Sequence, residues 1–171
     1  MVTVNLAEFG VTAGARLIGG YAERADDLRP AMNSVLDDLF SLSDQVWATR
    51  GRVIGAPWPA LSPRTLASRR SQGKGDTPLE YSGGRGGVLR KSLSRRGAAH
   101  QRVNVTRDEV LLETTSGIAG VHQSGGAASD GGRVPQRRMV ADSGFLADRF
   151  VPIFAGHLAG NARRGRPGGI V

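Results

Sequence analysis

On paper His122, Ser124 and Asp142 supply the base, the nucleophile and the orienting acid of an acyl-transfer triad. The serine lacks the strained Gly-x-Ser-x-Gly elbow that such a nucleophile needs, so the triad is set aside. His100, His122 and His157 have no partner at metal-ligand spacing, and the carboxylates near them do not cluster. Gly73-Lys74-Gly75 lacks both the upstream glycine spacing and the Ser or Thr after the lysine of a phosphate loop. No catalytic motif survives, and no enzyme activity, cofactor or metal is expected. His122 reads instead as a structural residue that packs or hydrogen-bonds.

The remaining chemistry is charge. The chain carries a net +8 and no cysteine, which excludes disulfides and thiolate metal sites. Residues 1–49 hold 3 basic and 7 acidic groups, residues 50–107 hold 13 and 2, residues 108–132 hold none and 4, and residues 133–171 hold 7 and 2. Such segregation steers copies of one chain together, acidic face to basic face, as readily as it binds a polyanion. Gly83-Gly84-Arg85-Gly86-Gly87 resembles an Arg-Gly segment of the type that tracks phosphate backbones. Only Trp58 and Tyr81 interleave the basic region with aromatics, so the most it supports is contact with nucleic acid without base readout. A non-specific nucleic-acid binder acting through residues 64–96 is therefore one reading.

The elements that must hold these groups suit a single α+β domain over residues 1–160, of a size that buries a proper core. One helical stripe spans 11–26, weakened by Gly14, Gly19 and Gly20. A second helix runs over 30–49, with Asp27 as a cap and Pro30 in its first turn. Its buried stripe includes Met32, Leu36, Phe40 and a structural Trp47, while Asp37, Asp38 and Asp44 lie off it. A loop over 51–87 follows. Within it Trp58, clamped between Pro57 and Pro59, is an anchor that pins the arm either to its own core or to a partner. Pro63 opens a short helix carrying Arg64, Arg69 and Arg70, and Ser71 to Gly87 reads as a long mobile basic Gly-rich loop.

A small antiparallel sheet is expected over about 88–115, its hairpin formed by Arg102 to Thr106 and Glu109 to Thr115. Leu89 and Leu93 fit a third strand or a helical turn equally well. A last helix covers about 142–160, with Pro152 predicting a kink or a start nearer Asp148. Residues 161–171 read as a flexible basic tail. Neither a basic head followed by an apolar run nor eighteen consecutive apolar residues occurs, so no signal peptide or membrane contact is expected.

Two blocks resemble signatures of the phage virion morphogenesis proteins, also called tail completion proteins. The first joins Trp58-Pro59-Ala60-Leu61-Ser62 and Thr65 to Thr77-Pro78-Leu79 and Leu89-Arg90-Lys91-Ser92-Leu93. The second is Ala119-Gly120-Val121-His122-Gln123-Ser124-Gly125-Gly126, followed by Val134-Pro135-Gln136-Arg137-Arg138-Met139. The likeness covers most of residues 27–158, and departs from the family in Ser124, where an aromatic is usual, and in extra glycines over 82–88.

This resemblance implies an α+β structural protein of a tailed phage, assembled in the host cytoplasm and carried in the tail or neck of the virion. It implies a homo-oligomeric, six-fold ring that meets the tail terminator or tube and the head connector, with DNA passing through its lumen without sequence readout. In a ring every contact is heterologous. The charges then suggest that Asp37, Asp38 and Asp44 of one copy face the Arg64 to Arg96 region of the next. Trp58, Arg64, Arg69, Arg70, Arg85, Arg90, Lys91, Arg137 and Arg138 complete the expected contacts. Most of the arginines should face protein, since a lumen densely lined with them would hold DNA through many phosphate contacts.

Overall fold

The computed structural model describes residues 19–79, 85–127 and 132–160. The first described element, α1, covers residues 19–26; the rest of the helix expected over 11–26 lies outside the described residues, as does the basic tail over 161–171.

Helix α2 (Arg29–Thr49) organises the molecule. Met32, Val35, Leu36, Phe40, Val46 and Trp47 recur at helical spacing and are all buried. Pro30 sits in the first turn as expected. Asp27 does not cap in the usual way: Leu28 holds the N-cap position, and the Asp27 carboxylate instead accepts the Arg29 backbone N–H at 3.2 Å and its guanidinium at 2.7 Å. At the far end Arg50 (φ 52) and Gly51 (φ 80) enter the left-handed region, and Gly51 N–H bonds the Val46 carbonyl at 2.8 Å. This closes the helix and turns the chain back over it.

A single 3₁₀ turn (Arg52–Ile54) follows, and the Trp58 N–H then bonds the Arg50 carbonyl at 2.8 Å. Gly51 is required here. A Cβ at this position would lie 2.1 Å from the Ala56 carbonyl oxygen and 2.7 Å from the Trp58 ring, on a backbone that side chains rarely adopt. Helix α3 (Pro63–Ser71) is capped by Ser62, whose Oγ accepts the Thr65 N–H at 3.2 Å, and it buries no residue. It is a surface rod for Arg64, Arg69 and Arg70.

The stretch from Arg85 is a correction. It forms helix α4 (Arg85–Ser94), so neither the end of the glycine loop nor the start of the sheet stands as expected. Leu89 and Leu93, four apart, share one helical face and are 0% and 5% exposed, and Ser92 on the same side hydrogen-bonds Thr114 at 2.7 Å. Packing decides a choice that periodicity left open. Residues 80–84, the middle of the expected loop, lie outside the described residues.

Strands β1 (Gln101–Val105) and β2 (Val110–Thr114) form the expected antiparallel hairpin, in register Val103↔Leu112 and Val105↔Val110. Alternate residues face inward. Helix α5 (Ala119–Ser124) leads to a two-residue ladder of β3 (Gly126–Ala127) with β4 (Arg133–Val134).

Helix α6 (Ser143–Leu158) runs through Pro152 and starts at Asp142, whose carboxylate caps the Phe145 N–H at 2.9 Å. The start nearer Asp148 is thus corrected. Pro152 is exposed, where water meets the carbonyl deprived of its donor, and both ends of α6 are tied down. His157 Nε2 lies 3.0 Å and 3.1 Å from the Arg24 and Asp27 carbonyls, and Arg24 Nε donates to the Leu158 carbonyl at 2.7 Å.

The α+β architecture is thus α2 packed against α4, α6 and the β1–β2 hairpin. The core gathers Leu42, Val46, Trp47, Ile54, Trp58, Leu79, Leu89, Leu93 and Met139. No helix among the described residues is long and apolar enough to cross a membrane.

Candidate functional site

Trp58 is the hinge of the site. Its ring meets Trp47 edge-to-face, 5.4 Å between centroids at 90°, and its Nε1–H donates to the Arg138 carbonyl at 2.7 Å. At 8% exposure the side chain is buried in its own core. Of the two roles open to it, the structure shows Trp58 in the internal one. The docked ring draws two distant segments together, the Pro59–Ser62 arm and the 136–140 strap.

That strap is held from the other side by α5. Gln123 Oε1 accepts the Met139 and Val140 N–H groups at 2.8 Å and 3.2 Å, its Nε2 donates to the Val140 carbonyl at 3.1 Å, and Arg137 N–H bonds the His122 carbonyl at 2.6 Å. One glutamine therefore satisfies a run of backbone that no strand pairs. Sequence reasoning gave Gln123 no role, although its place within the second signature was a signal.

Between arm, α3, α5 and strap lies an open cleft of about 1240 Å³. Its described lining holds four arginines, Arg64, Arg69, Arg133 and Arg137, and no Asp or Glu. Arg137 is the deepest of these cations, 5% exposed, and its Nε and Nη2 donate to the Pro59 carbonyl at 3.3 Å each. Among the described residues no carboxylate pairs with it. Arg69 Nη1 is tied to the Thr77 and Gly75 carbonyls at 2.7 Å and 3.1 Å, which shapes the turn beyond α3.

His122 also lines the cleft, with a buried Nδ1 that has no hydrogen-bond partner among the described residues. Burial, and then the charge of Arg137, hold its pKa below the ordinary histidine value. The pKa of Arg137 is likewise lowered by burial and by Arg69. Both shifts follow first from burial and then from neighbouring positive charge, in a recess whose described lining holds no carboxylate. Its chemistry is anion binding: a fixed guanidinium presents paired donors, and the low-dielectric floor strengthens each contact.

The other expected contact residues part company. Asp37 pairs with Arg96 at 3.1 Å and Asp44 with Arg90 at 3.4 Å. Asp38 takes both guanidinium arms of Arg149, with Nη2 to Oδ1 at 2.8 Å. Each of these three acids has a cation within its own chain. Arg70 pairs with Asp76 at 3.0 Å on the surface, Lys91 is exposed, Arg138 is exposed beside the buried Trp58, and Arg85 begins α4. Among the described residues no three His, Cys, Asp or Glu side chains gather as a metal site would.

The model of the phage virion morphogenesis family matches residues 12–149, a span that takes in the Trp58 arm, the Gln123 strap and the cleft between them. The chain belongs to this family. Its members take part in building phage particles, and such a family is typically structural. No curated protein and no solved structure matches the chain.

Proposed function

We propose that this protein completes the phage tail and joins it to the head connector, closing as a homo-oligomeric ring, six-fold to match a tail tube, around the DNA channel. Membership of the virion morphogenesis family over residues 12–149 carries this reading. The surface charges support it. Once Asp37, Asp38 and Asp44 are matched within the chain, the exposed acids at the hairpin turn, Asp108 and Glu109, lie on a different element from the basic α3. Two unlike patches on one surface are what a heterologous ring contact uses.

Arg90 turned toward Asp44 agrees with arginines that serve protein contacts and leave passing DNA weakly held. The tail or neck of the virion, the tail terminator or tube and the head connector are the neighbours in this proposal. Native mass spectrometry and negative-stain microscopy of the purified chain test it, together with deletion of the gene from the phage. Closed annuli, and particles in which heads and tails accumulate unjoined, are expected. A monomer that binds duplex DNA at submicromolar concentration would overturn the ring and favour a solitary nucleic-acid binder.

A further inference from the structure

The cleft has more built into it than a basic surface. Arg137 sits at its floor, 5% exposed, oriented by the Pro59 carbonyl through two N–H groups of one guanidinium. Among the described residues it has no counter-charge; a buried cation so placed is costly, and a carbonyl oxygen offsets that cost only in part. His122 adds a second feature, a buried Nδ1 without a hydrogen-bond partner among the described residues. Arg64 and Arg133, both exposed, lie at the rim.

We infer that this cleft seats an acidic peptide segment of a neighbouring virion protein, with one side-chain or terminal carboxylate reaching Arg137 and flanking acids meeting Arg64 and Arg133. The inference rests on the virion-assembly reading above and adds the partner's chemistry. Three observations select a peptide over nucleic acid. Arg137 is buried at the floor, so a slender carboxylate reaches it more readily than a duplex backbone does. Leu61, Leu79, Ile118 and Val134 give the walls apolar patches that suit side chains between acids. No Phe, Tyr or Trp stands among the described lining to stack a base. A planar guanidinium held by its neighbours matches the two oxygens of a carboxylate.

The test uses the full chain and a fluorescent peptide of alternating Glu and Leu, titrated at 0.15 M salt, with inorganic phosphate and a 12-base-pair duplex as competitors. Arg137→Gln is expected to weaken peptide binding at least tenfold, and Arg95→Gln, an exposed arginine outside the cleft, less than twofold. The double variant Arg64→Gln/Arg133→Gln, at the exposed rim, keeps the test decisive should Arg137→Gln fail to fold; it should weaken binding at least fivefold. Binding should also shift the His122 ring resonances. Equal losses for Arg95→Gln and the cleft variants, or unmoved His122 resonances, would overturn the proposal. So would duplex or phosphate displacing the peptide at lower concentration than unlabelled peptide does. Failure of the wild-type chain to form annuli while this binding persists would sink the ring alone; annuli formed without peptide binding would sink the cleft assignment alone.

Discussion

Asp38 and Arg149 join α2 to α6 across 111 residues of sequence, Arg149 offering two guanidinium arms to one carboxylate that is three-quarters buried. The pair closes the helical layer and removes the central acid of α2 from the outer surface. Asp38→Asn should cost about 1–2 kcal/mol, since a charge-assisted bond out of bulk water exceeds an exposed one. Asp37→Asn, whose partner is well exposed, should cost no more than about 0.5 kcal/mol. Urea unfolding of both, with Arg149→Gln to complete a double-mutant cycle, checks the difference.

Removing the Trp58 side chain should destabilise the fold by about 3–5 kcal/mol, the usual range for a large buried aromatic. Trp58→Phe keeps most of the area against Trp47 but leaves the Arg138 carbonyl without its 2.7 Å donor, and should cost about 1–2 kcal/mol. Gly51→Ala should also destabilise, by collision with the Ala56 carbonyl and by strain at φ 80. Unfolding midpoints read all three.

Helix α6 offers a pair of opposite expectations. Asp142→Ala removes the cap on Phe145 N–H and should cost about 1 kcal/mol. Pro152→Ala restores a missing backbone donor at an exposed interior position and should stabilise by about 1–3 kcal/mol. Thermal melts that move in the same direction would contradict the description of α6.

His122 sets a pH dependence. Its folded pKa is held below the ordinary 6.5 by burial and by Arg137, so the unfolded chain binds the proton first. Its contribution is fully present above about pH 6.5 and is lost as pH falls through the lower folded value. His122→Asn should flatten that part of the stability profile. Denaturant midpoints between pH 5 and pH 8 for the two proteins provide the comparison.

For assembly, Arg64→Glu/Arg70→Glu reverses two exposed charges on α3. Annuli should disappear while the monomer keeps its unfolding free energy within about 0.5 kcal/mol. Asp37→Asn should leave annuli intact, because Asp37 already has Arg96 in its own chain. Native mass spectrometry distinguishes the two.

Helix α2, the β1–β2 hairpin and the start of α3 were legible in the residues, because each depends on signals within a few positions. The apolar stripe to Trp47 has period 3.6, Gln101–Val105 and Val110–Thr114 alternate, and Pro63 reads as a first helical position. The segment from Arg85 misled, since its glycines argue for loop and only the burial of Leu89, Ser92 and Leu93 makes it helix. Pro152 misled for the same reason: local propensity was outweighed by anchors at Arg24, Asp38 and Asp142, far away in the chain or at its cap.

By itself the sequence determined the family signatures, the charge segregation and the elements with strong period. Tertiary structure alone decided which charges meet. It assigned Arg90, Arg96 and Arg149 to the acids of α2, and left Arg137, in an equally basic segment, buried at a cleft floor with a carbonyl for company. The physical reason is that periodicity and capping act over a few residues, whereas an ion pair depends on distance in space and on how much water the packed chain leaves between its partners.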